Sequence, residues 1–155
     1  VFGGVYKLTA VENENGEIIP KIKCSENVEK ITIPHFKKVY RLYNRDNGKA
    51  IADYMTVYDE TVNENEPLML FDPYATWKTK NVCNFEAREL LVPVFLKGKR
   101  VYQSPSLKEI QSYCKQQVDT LWDEIKRFDN PQTYYVDLSQ KLWDIQQELL
   151  RKNRN

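Results

Sequence analysis

The chain has 155 residues, of which 41% are hydrophobic, 29% charged and 12% aromatic, the profile of an ordinary globular domain able to bury a core. Its 23 Lys and Arg offset 22 Asp and Glu to leave a net charge of +1, so no strong long-range field draws nucleic acid or an anionic membrane surface. The longest apolar run, Leu90-Leu91-Val92-Pro93-Val94-Phe95-Leu96, falls far short of the roughly 20 residues that cross a bilayer.

The chain opens on Val1-Phe2-Gly3-Gly4-Val5-Tyr6-Lys7-Leu8, with no initiator Met and no charged-then-apolar leader. It reads as the interior of a longer protein. Val5 to Glu12 alternates like a strand, Asn13-Glu14-Asn15-Gly16 supplies a turn, and Ile18 to Cys24 returns as its partner. A second hairpin is expected from Val39 to Tyr43 and Ala50 to Tyr58 around Asn44-Arg45-Asp46-Asn47-Gly48. Asp59 to Pro67 reads as a solvated loop, and Leu68 to Phe71 as a short strand stopped by Asp72-Pro73. Leu90 to Leu96 and Arg100 to Tyr102 flank Lys97-Gly98-Lys99 as a third hairpin.

Helices close the chain. Ser106 with Glu109 three residues on is a capping box, each side chain able to satisfy an orphan backbone N–H. Leu107, Ile110, Cys114, Val118, Leu121 and Ile125 then recur every three or four residues, predicting one helix that stops near Asp129-Asn130-Pro131. A second helix is predicted from Asp137 or Ser139, with Leu138, Leu142, Ile145 and Leu149 on one stripe. Its basic end, Arg151-Lys152-Asn153-Arg154, complements the negative pole of the helix dipole and needs no nucleic-acid explanation. The fold class is therefore α+β, with antiparallel hairpins over the first two thirds and two amphipathic helices after them.

Self-contained chemistry is not expected. No glycine-rich phosphate loop, metal-binding motif or Cys/His cluster is present, so no catalytic residue, metal ligand or bound cofactor is assigned to the piece. Cys24, Cys83 and Cys114 are odd in number and widely spaced, which fits reduced, semi-buried thiols of a cytoplasmic protein. His35, the one histidine, reads as a solvated loop residue after Pro34. Ten tyrosines, without a basic surface, read as packing residues, and Trp77, Trp122 and Trp143 as core or interface anchors.

One polar constellation stands apart: Lys21, Lys23, Ser25, Lys30 and Thr32. In order along the chain occur Gly3-Gly4-Val5-Tyr6-Lys7-Leu8, Lys-x-Ser at 23 to 25, Lys30-x-Thr32-x-Pro34 and Lys38-Val39-Tyr40-Arg41. Asn84-Phe85-Glu86-Ala87-Arg88, Pro105-Ser106-Leu107, Leu121-Trp122-Asp123-Glu124 and Val136 to Trp143 follow. This series resembles the carboxy-terminal part of nicotinate phosphoribosyltransferases over essentially the whole chain.

The resemblance implies a parent enzyme that forms nicotinate mononucleotide and pyrophosphate from nicotinate and phosphoribosyl pyrophosphate, with ATP and Mg and a phosphohistidine. It implies an α/β-barrel homodimer whose phosphohistidine, nicotinate-binding Arg and phosphate loop all lie upstream of this piece. Residues 1–33 are then a hairpin of the catalytic core and 34–155 an appended domain. Lys7, Lys23 and Ser25 are the candidates for substrate contact. Lys7 reads either as a donor to the pyrophosphate end of the substrate or as an outward strand residue. Lys23, Ser25, Lys30 and Thr32 are placed at the cleft rim or a dimer contact. His35 departs from the family, which has Gly after that Pro. No nucleic-acid or membrane partner is expected. The competing reading is a free-standing binding module, a small β-barrel-like domain with two packed helices and no chemistry, whose nucleic-acid-binding version the charge balance opposes.

Overall fold

The structure, a computed structural model, describes residues 3–27 and 30–153. Val1, Phe2, Val28, Glu29, Arg154 and Asn155, parts of the motifs above, lie outside the described residues. The strands are β1 (Ala10–Glu12), β2 (Ile18–Pro20), β3 (Lys37–Asn44), β4 (Ala50–Val57), β5 (Leu68–Asp72), β6 (Ala75–Val82), β7 (Phe85–Glu89), β8 (Phe95–Leu96), β9 (Lys99–Arg100) and β10 (Val136–Leu138). The helices are α1 (Leu107–Asp119), α2 (Asp123–Lys126) and α3 (Gln140–Lys152). The α+β class and the three predicted hairpins are present, with corrections in extent.

The first hairpin pairs Ala10 with Pro20 and Glu12 with Ile18. Its turn forms because Asn13 Oδ1 accepts from the Asn15 and Glu17 amides at 3.0 and 2.9 Å, while Gly16 takes φ +78°. The predicted strand from Val5 is not regular before Ala10, and Val5 and Tyr6 are almost wholly exposed. Alternation without a partner strand does not make a ladder. The second hairpin closes where expected: the Gly48 amide donates to Asn44 O at 2.8 Å and Gly48 sits at φ +66°. The third keeps its turn, with Lys97 and Gly98 both at positive φ, but its regular ladder is limited to Phe95–Leu96 and Lys99–Arg100, beyond which Val94 O accepts from the Val101 amide at 2.9 Å.

Strands β6, β7 and β10 were not expected from the sequence. β6 reads Ala-Thr-Trp-Lys-Thr-Lys-Asn-Val and is exposed at every position between its buried ends, so it carries no apolar alternation. It is a strand because β5 supplies its backbone partners, from Leu68 against Val82 to Phe71 against Thr79. β7 pairs antiparallel with β3, from Tyr40 against Glu89 to Asn44 against Phe85. The strand order of that sheet is β10-β4-β3-β7.

The predicted long helix ends ten residues early, at Asp119. Thr120 Oγ1 donates to Gln117 O at 2.6 Å, and Lys49 Nζ donates to the carbonyls of Asp119 and Leu121 at 2.9 and 3.3 Å. Trp122 then takes extended φ/ψ and its indole N–H donates to Ala50 O at 3.0 Å. Non-local partners thus capture the terminal carbonyls that a longer helix would use. The capping box at Ser106 and Glu109 is formed as predicted. The second helix starts after Ser139, whose hydroxyl accepts from the Leu142 amide, and Leu138 belongs to β10 instead of the helical stripe.

The chain divides into two compact units. The first comprises Val1–Lys38, Met55–Thr61 and Leu138–Asn155. Its core is Val57, Leu138 and Leu142, with Ile33, Met55, Trp143 and Ile145 against it. The second comprises Val39–Tyr54 and Val62–Asp137, around Tyr40, Leu42, Ala52, Tyr54, Leu70, Val82 and Phe85. Helix α1 buries no residue: Leu107, Ile110 and Val118 share a face, and all three are exposed. Trp77 is 79% exposed, so of the three tryptophans Trp143 alone packs in a core cluster, and the core alternative does not hold for Trp77. Cys24, Cys83 and Cys114 are free thiols, as expected, but exposed rather than semi-buried.

Candidate functional site

The polar constellation lies in the first unit, on irregular backbone that converges on one carbonyl. Thr9 O accepts from the amides of both Lys21 and His35 at 2.8 Å, which ties the end of the leading segment to two later stretches. Irregular backbone at such a junction must find its hydrogen bonds one by one. The Lys7 ammonium donates to Lys30 O at 2.9 Å, and the Thr32 amide donates to Lys23 O at 3.3 Å. Lys7 and Lys23 are exposed and Ser25 is half-buried. The structure therefore brings Lys7 to Lys30 and the Lys23 backbone to Thr32, leaving the Lys7 and Lys23 side chains facing solvent. Thr32 is buried, with Oγ1 lacking a hydrogen-bond partner among the described residues, and Gln146 Nε2 reaches Thr32 O at 3.5 Å.

His35 is the strained point of this segment. It sits at φ +79°, a left-handed conformation in which a Cβ is disfavoured and glycine is the ordinary occupant. Three contacts hold it there. The Phe36 amide donates to its Nδ1 at 2.9 Å, its ring stacks on Tyr58 at 6.1 Å between centroids, and its own carbonyl accepts from Lys37 Nζ at 2.7 Å. It is half-buried rather than solvated. Lys37 Nζ also donates to Ile33 O and Pro34 O at 2.9 and 3.3 Å. Burial pulls that ammonium down to about 8, while three carbonyls supply its full set of acceptors. The residue just before the Lys38-Val39-Tyr40-Arg41 motif is thus a loop-clamping lysine that the sequence motifs do not include. Its signal was there: a Lys two to four residues after a Pro-x turn can fold back on the turn's carbonyls.

Other polar groups found their partners only through the fold. In the first unit, Glu60 Oε2 accepts from Ser139 Oγ and from the Val57 amide, both at 2.7 Å, and Lys141 holds Asp59 at 2.8 Å. In the second, Arg41 grips Asp53 with two hydrogen bonds at 2.8 and 3.0 Å, and Tyr134 donates to the same carboxylate at 2.9 Å while lying under the guanidinium. The Asp53 partnership raises Arg41 above its ordinary range, and burial together with the Asp53 charge raises Tyr134. Arg88 lies over Tyr43 and donates to Gln117 at 2.6 Å. These are bidentate and cation–π clamps between distant segments, and they build structure rather than reactivity. Among the described residues no group of His, Cys, Asp or Glu is arranged to hold a metal ion, and no helix is long and apolar enough to cross a membrane.

The sequence profile described as the nicotinate phosphoribosyltransferase C-terminal domain matches residues 36–146. Nicotinate phosphoribosyltransferase of Bacillus subtilis (strain 168) is 44% identical over 141 residues, covering 91% of this chain and 29% of that protein. The Caenorhabditis elegans protein of the same name is 33% identical over 153 residues, 97% of this chain and 26% of that one. The crystal structure of human Nicotinic Acid Phosphoribosyltransferase superposes with a TM-score of 0.69 over 77% of this chain and 24% of that chain. Its 24% identity speaks to the fold alone. The chain spans less than a third of the length of the curated relatives it matches. It belongs to the nicotinate phosphoribosyltransferase family and carries that family's C-terminal domain.

Proposed function

We propose that this chain is the structural C-terminal part of an ATP-dependent enzyme that joins nicotinate to phosphoribosyl pyrophosphate, releasing nicotinate mononucleotide and pyrophosphate in the salvage of NAD. The observation that carries this is the match of the C-terminal domain profile over residues 36–146, together with relatives of that name more than three times as long. Residues 1–33 are assigned to the catalytic core of the parent and 34–155 to the appended domain. The start of the profile match at residue 36 supports this division. ATP and Mg belong to the parent's upstream site, and the parent works in the cytoplasm as a homodimer. The piece alone is inactive. The solvent-facing apolar side chains of α1, with Phe95 and Trp77, support a domain that normally packs against more polypeptide.

Within this reading Lys7, with Lys23 and Ser25, reaches toward phosphoribosyl pyrophosphate. The exposed Lys7 ammonium has two N–H groups left after its bond to Lys30 O, enough to meet a diphosphate as a point charge. The test is an assay of nicotinate mononucleotide formation by the full-length protein and by the 155-residue piece. Activity in the first and none in the second is expected, and a native product of 155 residues that is inactive and monodisperse restores the binding-module reading. Lys7→Ala in the full-length protein is expected to raise KM for phosphoribosyl pyrophosphate by about tenfold, the order of one charge-assisted hydrogen bond. An unchanged KM removes Lys7 from the site.

A further inference from the structure

The second unit contains an open cleft of about 660 Å³, within the size range of small-molecule sites. Its lining comes from β5 and β6, from Asn44 of β3 with Ile51 and Ala52 of β4, and from residues between Trp122 and Asp137. Asp137, on β10, lines this cleft and is 4% exposed. Its Oδ1 has no hydrogen-bond partner among the described residues. A buried carboxylate oxygen without a donor is costly, and such a group in a native fold calls for a missing partner. Burial raises its proton affinity, the charge of Asp72, which also lines the cleft, raises it further, and Lys80, another lining residue, opposes this. Trp122 and Tyr134 also line the cleft, and the polar ends of both rings are already engaged, with Ala50 O and Asp53.

We infer that this cleft binds a small organic cation, a flat apolar body carrying an amidinium or primary ammonium group, with Asp137 as its anchor. An amidinium presents two parallel N–H donors, which fit one carboxylate and leave its edge toward Asp72. The flat body lies along Trp122 and Tyr134, where a ring gains both area burial and stacking. Three acids and two lysines line the cleft, which leaves one carboxylate in excess for a cation to neutralise. An anion would instead face Asp72 and Asp137 together.

The test uses the full-length protein and benzamidine as the probe, with benzamide and benzoate as its neutral and anionic isosteres, read by calorimetry and by Trp fluorescence. Saturable binding of benzamidine, at least about tenfold tighter than either isostere, is expected, as is a loss of that order in Asp137→Asn. Lys80→Ala is expected to tighten benzamidine binding, a change of opposite sign that a damaged fold would not produce. Equal affinity for the three compounds, or undiminished binding to Asp137→Asn with no gain in Lys80→Ala, overturns the inference. So does the absence of saturable benzamidine binding at millimolar concentration, which means the parent's own polypeptide fills the cleft.

Discussion

His35 and Asp137 show opposite ways in which a single side chain works against its surroundings. At φ +79°, His35 occupies backbone where glycine carries no penalty, so His35→Gly should raise stability by about 1 kcal/mol, less whatever its Tyr58 stack contributes. Thermal melting of the full-length protein checks this, and a fall of similar size would show that the stack outweighs the strain. For Asp137, burial and the Asp72 charge raise the carboxyl from 3.8 to about 6. The folded state therefore holds this proton more tightly than the unfolded one. The sign follows: this residue costs nothing below pH 3.8, its cost grows as pH rises, and it is complete above about 6. Asp137→Asn should stabilise the protein at pH 7 by on the order of 2–3 kcal/mol and flatten the slope of stability between pH 4 and 6. Denaturant titration across that range decides it; equal slopes in the two proteins would place no burial cost on this carboxylate.

Among the elements, α3 and α1 look alike in sequence and behave differently. Both begin at a Ser cap and both carry an apolar stripe. Leu142 of α3 is fully buried among Val57 and Leu138, whereas Leu107 of α1 is 70% exposed. Leu142→Ala should cost about 2–5 kcal/mol through lost burial and the cavity left behind. Leu107→Ala should cost well under about 1 kcal/mol in the isolated chain, because there is little burial to lose. Parallel urea titrations of the two variants test the contrast. Periodicity reports that a face is apolar and is silent on what covers it.

The same limit explains what was and was not legible. Turns at Asn13 to Gly16, Asn44 to Gly48 and Lys97-Gly98 could be read because glycine and Asn act locally. The cap at Ser106 was legible for the same reason, whereas the start of α3 stayed open between Asp137 and Ser139. β6, exposed on both faces between its ends, could not be read, since its strand state comes from β5. Nor could the early end of α1, which depends on a lysine seventy residues away. Of the site, the lysines and Ser25 were visible as a motif, but the Lys37 clamp depends on where the fold sends its neighbours, as does the unpartnered Oδ1 of Asp137 in the cleft of the second unit.

At the scale of the whole molecule, the chain divides its apolar surface between two modest cores and a broad solvent-facing remainder. A piece with this much uncovered surface should self-associate, whereas the full-length protein should hold a discrete size. Sedimentation of both at matched concentration tests this; a monodisperse 155-residue chain would argue that the exposed side chains need no cover. All three cysteines are exposed, so the folded piece should titrate three thiols with a thiol reagent without denaturant.

The capture of α1 by Lys49 and Ala50 has a kinetic meaning. The turn from Asn44 to Gly48 closes over a handful of residues, but the bonds from Lys49 to Asp119 and from Trp122 to Ala50 close loops of 70 and 72. Short loops close before long ones. The hairpin is thus the template and the helix end the late arrival, so Gly48→Ala should slow folding while Lys49→Met should chiefly hasten unfolding. A stopped-flow chevron on each variant reads that order of assembly directly.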